Sequence, residues 1–279
     1  MKKGWKIFWI ILAACGGTGL VMLIVAFTMG FSINNLNYFA RRNHQVITTN
    51  VTENEESDFI PKEIDGEIKE LRLKADFCRV KFIESKEDRF YVDTTEVTEG
   101  DDIEDIELTV MENNGVFNID LDSGIRHGHH MDHHHYDRVI YVYYPENYKF
   151  DKVDIHFGAG EIDIDNLITS ELSLDVGAGK CEINQLKADK VDAWISVGNL
   201  EIEGEVSEKL NIDCGAGQVE TSLNGSEQDY NYDISCQAGS IKIDEQRFSG
   251  LGTTKHLENG SGSNIVLNCG AGNIEIDFE

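Results

Sequence analysis

The stretch Val153-Asp154-Ile155-His156-Phe157-Gly158-Ala159-Gly160-Glu161-Ile162-Asp163-Ile164 decides the fold. Three alternating apolar residues lead into a glycine-flanked alanine, and two more alternating apolar residues follow. Side chains at period two point to opposite faces, so each arm reads as a strand with one apolar and one polar side. Glycine around the alanine lets the chain bend sharply, with positive φ open to it. The unit is a strand, a corner and a strand, and it cannot bury its apolar side alone.

Working outward, the same unit returns. Leu172-Ser173-Leu174-Asp175-Val176 leads into Gly177-Ala178-Gly179, then Cys181 and Ile183. Ile195-Ser196-Val197-Gly198-Asn199-Leu200-Glu201-Ile202 reads as a shortened copy, and three more are built on Gly215-Ala216-Gly217, Gln237-Ala238-Gly239 and Gly270-Ala271-Gly272. The step is about 18–22 residues except for a longer one before the last copy. Units that each leave one face bare gain a continuous interior by stacking, with strands about 4.8 Å apart. The expected fold is therefore all-β, a parallel β-solenoid with successive coils in register. An antiparallel meander is the rival; it favours two-residue Asn-Gly turns and does not require one motif in every strand pair.

Stacking assigns roles to single residues. Cys214, Cys236 and Cys269 stand just before a corner, where Phe157, Val176 and Val197 are expected in other copies, and form a ladder of interior filler. Neighbouring rungs bring sulfurs near bridging range, but the five cysteines beyond the first forty residues cannot all pair, and buried thiols are the expected state. The outward positions after the corners are Asp163, Glu182, Glu201, Glu220, Lys242 and Glu275. Four consecutive acids in a column repel by roughly 0.8 kcal/mol per neighbouring pair in water, which calcium would offset or solvent would screen. The glycine-rich stretch 246–264 lengthens the last step and reads as a projecting loop suited to a partner.

Upstream of the repeats, residues 63–150 read as an irregular start to the same body, with strands at Leu71–Ala75, Val80–Phe82, Phe90–Val92, Ile106–Val110, Val116–Ile119 and Val139–Tyr143. Its aromatic residues are expected to cap the open end of the stack. Residues 151–279 hold the regular repeats. Residues 32–62 are polar and without apolar period, a linker. Residues 7–31 contain no charged side chain, and as a helix span roughly 37 Å, enough to cross a bilayer. Lys2, Lys3 and Lys6 precede this run, which places residues 1–6 in the cytoplasm and residues 63–279 outside. A lipidation signal ending at Cys15 is the rival, from Leu12-Ala13-Ala14-Cys15; cleavage there leaves an apolar start on a secreted chain.

Composition narrows function. The 279 residues carry 24 bases and 51 acids. Setting aside the three lysines of the first forty residues, which hold no acid, 21 bases face 51 acids beyond them. Such a surface repels phosphate backbones, so nucleic acid is excluded as a partner. The bilayer is the expected partner through the helix, with a cell-wall or protein partner for the outer body. No nucleophile with a partnered base is visible, and each Gly-Ala-Gly corner enters a strand rather than a helix, unlike a phosphate loop. The expectation is a protein that is not an enzyme.

One segment stands apart. His127, His129, His130, His133, His134 and His135 crowd between Arg126 and Asp137. Several imidazoles in one loop offer three or four donors to zinc, so a metal-binding or metal-sensing envelope protein is the alternative reading; a solvated loop that chelates loosely is the plainer one.

The repeated Gly-Ala-Gly corners, Tyr144-Pro145-Glu146-Asn147-Tyr148 leading into Val153-Asp154-Ile155, and Asn224-Gly225-Ser226-Glu227-Gln228-Asp229-Tyr230 resemble the bacterial "putative adhesin" domains of unknown function. The resemblance runs from about Glu67 to Glu279. It implies a right-handed parallel β-helix on the outside of a bacterial cell, in some members linked to envelope stress, with no assigned catalytic residues. No cofactor is expected from the sequence. Zinc or calcium enters only through the histidine and acid readings above.

Overall fold

The computed structural model describes residues 67–75, 78–93, 107–122, 139–249 and 252–279. They are all-β, eighteen strands with a single three-residue helical turn at Glu227–Asp229. No helix among them is long and apolar enough to cross a membrane; the apolar run 7–31, with Cys15 and the linker, lies outside the described residues.

The repeats fold as coils, each a strand, a corner and a strand. In the middle of the stack these are β7 (Lys149–Phe157) with β8 (Gly160–Ile164), and β9 (Leu167–Val176) with the start of β10 (Lys180–Ile195). The end of β10 joins the start of β11 (Asn199–Cys214), and the end of β11 joins β12 (Gln218–Leu223). All pair in parallel and in register: Val153, Leu172, Val191 and Leu210 share one interior column, and Ile162, Cys181, Leu200 and Val219 share another. Register shifts after Ile183 and Ala188 bend β10, which opens a short third side where Phe150, Thr169, Ala188 and Val206 stack, all buried.

The corners lie directly above one another. The Ala178 amide donates to the Gly158 carbonyl (2.8 Å), that of Val197 to Gly177 (2.9 Å), and that of Ala216 to Ser196 (2.9 Å). The copy at Ile195 is therefore not shortened. Its corner is Ser196-Val197-Gly198, and Ile195, buried, holds the interior position expected of Val197, which is 64% exposed. At Gly179, Gly198 and Gly217 the third corner position answers to space rather than to φ, whereas Gly160 also takes a φ of 117°. A Cβ on Gly217 would sit 2.0 Å from the Gly198 carbonyl oxygen of the coil beneath.

The ends depart from sequence order. At the amino-terminal end, β1 (Glu70–Ala75) and β2 (Cys78–Ser85) form one coil, and β5 (Val116–Asp122) and β6 (Val139–Pro145) the next. The first coil lies between the second and the body: β1 pairs with both β5 and β7, and β2 with both β6 and β8. The other end mirrors this. One coil is β13 (Tyr230–Cys236) with β14 (Ser240–Ile243), and the last in sequence is β17 (Ser263–Cys269) with β18 (Asn273–Phe278). That last coil inserts between β11/β12 and β13/β14. Register survives; succession does not.

Each outermost coil is closed by two antiparallel strands, one per ladder. Strands β3 (Tyr91–Asp93) and β4 (Glu107–Asn113) pair with β6 and β5. Strands β15 (Gln246–Ser249) and β16 (Thr253–Leu257) pair with β14 and β13. The stretch expected as a projecting loop thus supplies two cap strands. Both ends place a charge on the core side of an edge strand: Glu112 stands opposite Phe117 and Lys255 opposite Ile234, and both stay exposed. Inward charges of this kind blunt an edge against pairing with another chain.

Candidate functional site

Outward side chains of the rungs make the first candidate, the acid column. In-register pairing lines up Lys81, Asp163, Glu182, Glu201, Glu220, Glu275 and Lys242 in that order, five acids between two lysines. The inserted last coil puts Glu275 beside Glu220 and moves Lys242 to the end. The chain's own lysines reach most of these carboxylates. Lys81 lies 3.2 Å from Asp163, Lys180 bonds Glu182 and sits 3.5 Å from Glu201, and Lys242 bonds Glu275 and sits 3.3 Å from Asp277. Gln218 Nε2 donates to Glu220 at 2.5 Å. Among the described residues no group of three or more His, Cys, Asp or Glu is arranged to hold a metal ion.

Of the nine histidines, the described residues include His156 and His256. His156 Nε2 lies 3.2 Å from Asp154 and Nδ1 3.4 Å from Asp175 on the next rung. Hydrogen bonds to Asp154 and Asp175 raise its pKa to about 9. His256 makes the same kind of pair on cap strand β16, with Asp233 at 2.6 Å and Glu258 at 3.2 Å. His127, His129, His130, His133, His134 and His135 lie outside the described residues, between the end of β5 and the start of β6. Other coils cross from one ladder to the other there by a tight corner.

The cysteines fill the interior as expected. Cys214, Cys269 and Cys236 occupy three successive rungs, with Cys269 in the middle because of the inserted coil. All five described cysteines are buried, and Cys181, Cys214, Cys236 and Cys269 are free thiols. Burial pushes the Cys269 thiol up to about 11 and the Cys181 thiol up to about 12. A thiol is nucleophile and ligand only once deprotonated, so these serve packing at neutral pH.

The remaining feature is a cleft of about 300 Å³ at the carboxy-terminal end. Cap strands β15 and β16 extend opposite ladders without meeting. Phe248 projects opposite Ile241, and Leu257 opposite Tyr232, so the floor between them is apolar, with Ile243 and the Tyr232 ring. The rim is polar: Glu227, Gln228, Gln246 and Asn259. The helical turn that carries Glu227 and Gln228 is capped by Ser226, whose hydroxyl accepts from the Gln228 amide while Asp229 accepts from the Ser226 amide. Tyr232 donates its hydroxyl to the Glu227 carbonyl (2.8 Å), and Asn259 donates to the carbonyls of Tyr230 (2.9 Å) and Glu227 (3.2 Å). These bonds fix the turn and Asn259, and Gln246 Nε2 donates to the Glu227 carboxylate at 3.4 Å along the rim.

The profile of Toastrack DUF4097 matches residues 27–277, nine-tenths of the chain. The chain belongs to that family. This agrees with the resemblance to "putative adhesin" domains drawn from the corners. Two solved structures similar to this Toastrack chain are a "putative cell adhesion protein" from Clostridium sporogenes and a "putative adhesin" from Bacteroides fragilis. The first is 16% identical with a TM-score of 0.41 over 79% of this chain and 100% of its own. The second is 11% identical with a TM-score of 0.35 over 78% and 96%. No curated protein matches the sequence.

The cleft was only half legible. The stretch 246–264 stood out by its glycines and its length, but Glu227, Gln228 and Tyr232 belong to the preceding coil and share no motif with it. One missed signal was present: Asn114-Gly115, with φ of 53° and 79°, makes the two-residue hairpin turn between β4 and β5.

Proposed function

We propose that this Toastrack chain is a non-catalytic, adhesin-like surface module. In this reading residues 7–31 hold it in the cell membrane, residues 1–6 lie in the cytoplasm, and the stacked coils, wound right-handed, stand outside against the cell wall or a protein partner. The observation that carries it is the stack itself, a set of rigid rungs closed at both ends by antiparallel strands. Its outward faces are laddered ion pairs, and its interior thiols are held protonated by burial. Such a body presents a fixed surface and is not built around a moving proton. The uncharged run ahead of it supports the anchor, and the family resemblance supports a link to envelope stress.

Protease treatment of intact cells tests the location: the stack's epitopes are lost while a cytoplasmic marker survives. Protection of both in intact cells overturns it. Incubating the full chain with wall polymers tests the other half, and release of soluble fragments overturns a non-catalytic role.

The second reading is an envelope metal binder, favoured by six histidines between β5 and β6. Calorimetric titration of the full chain with zinc tests it. Stoichiometric uptake lost on replacing His127, His129, His130, His133, His134 and His135 by Ala supports it, and no heat at micromolar zinc ends it.

A further inference from the structure

The carboxy-terminal cleft asks for an occupant of mixed chemistry. An apolar side chain would cover Phe248 and Leu257, but would also bury the Glu227 carboxylate with only the Gln246 amide as its partner, at 3.4 Å, and the Gln228 head with none, at a desolvation cost. An ion would satisfy the rim and leave the apolar floor wet. A pyranose ring answers both, because one face carries C–H groups that lie on an aromatic ring while its edge carries hydroxyls that both donate and accept. Carboxamides offer both functions too, and the Glu227 carboxylate accepts only. We propose that this cleft binds a single neutral or N-acetylated sugar ring within a longer glycan.

Three observations narrow the ligand. At about 300 Å³ the cleft lies at the small end of ligand sites, which range over about 300–1,000 Å³, so one ring rather than a chain is enclosed. Its lining holds one carboxylate and no Lys, Arg or His, so uronates and phosphorylated sugars are disfavoured. The excess of acids over bases across the chain acts in the same direction. Finally, the site is preformed. Its floor is the last parallel rung, and Asn259 is fixed by its bonds to Tyr230 and Glu227 and by its amide, which donates to Asn231 at 2.9 Å. Of its amide head, Oδ1 bonds nothing among the described residues and remains for the ligand.

The proposal rests on the surface reading above and names its ligand class. The test uses the full chain in lipid nanodiscs, with binding followed by calorimetry and saturation-transfer NMR. The probes are chitotetraose, maltotetraose, tetragalacturonate and an N-acetyl leucyl-phenylalanine amide. Chitotetraose or maltotetraose is expected to saturate at millimolar concentration or below, and tetragalacturonate to bind more weakly. Phe248→Ala and the double variant Gln228→Ala/Gln246→Ala should each weaken binding about tenfold, as expected for one lost contact set. The double variant touches only exposed side chains, so its fold is not at risk. The proposal is overturned by any of four results: neither neutral tetramer saturates, the uronate binds as well as they do, the peptide amide alone saturates, or both variants bind sugar like the parent. Shortening of the tetramers during the experiment would instead sink the non-catalytic reading, and a failed protease assay on cells would sink the location, without touching the binding result.

Discussion

The two ends of the stack are built on one plan and finished differently. Each takes a coil out of sequence order, slides it between the outermost coil and the body, and covers the outermost coil with one antiparallel strand per ladder. At the amino-terminal end the cover is aromatic. Phe90 is buried, edge-on to Tyr148 at 4.8 Å and to Phe150 at 6.0 Å, and tilted against Phe117 at 5.9 Å. At the carboxy-terminal end the corresponding volume is a cleft with a polar rim, bordered by a half-buried Phe248. The same topology closes a core where Phe90, just ahead of cap strand β3, meets three rings of the coils, and leaves a binding-sized opening where the caps bring only Phe248 and Leu257 under a polar rim. Closure is a matter of side-chain volume; chain path is common to both.

The largest effect separates the two directly. Phe90→Ala should cost about 3–5 kcal/mol, the usual range for a buried aromatic, because three rings lose their common partner. Phe248→Ala should cost about 1–2 kcal/mol, since much of that ring already faces the cleft. Coils that touch mainly their neighbours open from the ends. Hydrogen exchange of the full chain should therefore show lost protection in β1, β2, β5 and β6 for the first variant, and a small loss in β13 and β14 for the second. Equal losses would show that the carboxy-terminal cleft is closed in solution.

The second effect lies in the inserted coils themselves. Along the column before the corners, the amino-terminal insertion contributes Ala75 between Leu121 and Phe157, a small residue making room for a large one. The carboxy-terminal insertion contributes Cys269 between Cys236 and Cys214, three residues of equal size. Cys269 Sγ donates to the Gly272 carbonyl at 3.0 Å. Cys269→Ser keeps a donor but puts a hydroxyl into a dry column, and should cost about 1–2 kcal/mol. In the parent chain, iodoacetamide should leave Cys269 unmodified at neutral pH until denaturant is added. Rapid native labelling would mean that this end breathes far more than the other.

These columns also mark how far the sequence could be read. Period two and the glycine corners fix the coils, the register and the filler role of the cysteines, because each follows from one residue and its neighbours in the chain. The order of coils does not. Ile265-Val266-Leu267-Asn268-Cys269 and Tyr232-Asp233-Ile234-Ser235-Cys236 present the same inward pattern, so either satisfies β11 equally by pattern alone. The difference lies in the connections. A coil that leaves two cap strands behind cannot be followed by its neighbour in space, and those strands were hidden in a stretch whose inward positions include Lys255 and Gln246. Val197 misled for a related reason: a valine where other corners have alanine looks like a core residue until the length of the corner is counted.

The third effect is a dependence on pH. His156, on the rung beside the amino-terminal inserted coil, has a pKa raised from about 6.5 to about 9 by hydrogen bonds to Asp154 and Asp175; Lys152, Lys74 and Arg72 face the same cluster. A raised histidine pKa stabilises the fold fully below the unfolded value and is lost as pH rises through the folded one. Stability should therefore fall between pH 6.5 and 9. The pair is partly exposed, so solvent screening keeps the change to about 1 kcal/mol or less. Asp154, lowered by the same bond, acts in the opposite sense and is lost only on acidification. His156→Asn should flatten the slope above neutrality in thermal unfolding; His256, raised in the same direction by Asp233 and Glu258 but fully exposed on its cap strand, should on replacement by Asn change it far less. A slope that follows His256 instead would put the sensitive contact at the carboxy-terminal end.

The smallest effect has the opposite sign. Two threonines are buried in the stack. Thr169, on the short third side, donates its hydroxyl to the Glu171 carbonyl at 3.0 Å. Thr221 stands in a column between Ile202 and Ile276, beside the inserted carboxy-terminal coil, and its hydroxyl has no partner. Valine matches threonine in shape, so each substitution removes a hydroxyl and nearly nothing else. At position 169 it leaves the Glu171 carbonyl short of a donor and should cost about 1 kcal/mol; at 221 it removes an unmet desolvation penalty and should raise stability by up to about 1 kcal/mol. Urea titration of the two variants side by side reads both. If Thr221→Val destabilised as Thr169→Val does, the hydroxyl would have a partner in solution, and the seam between the body and its inserted last coil would be wetter than its isoleucine neighbours imply.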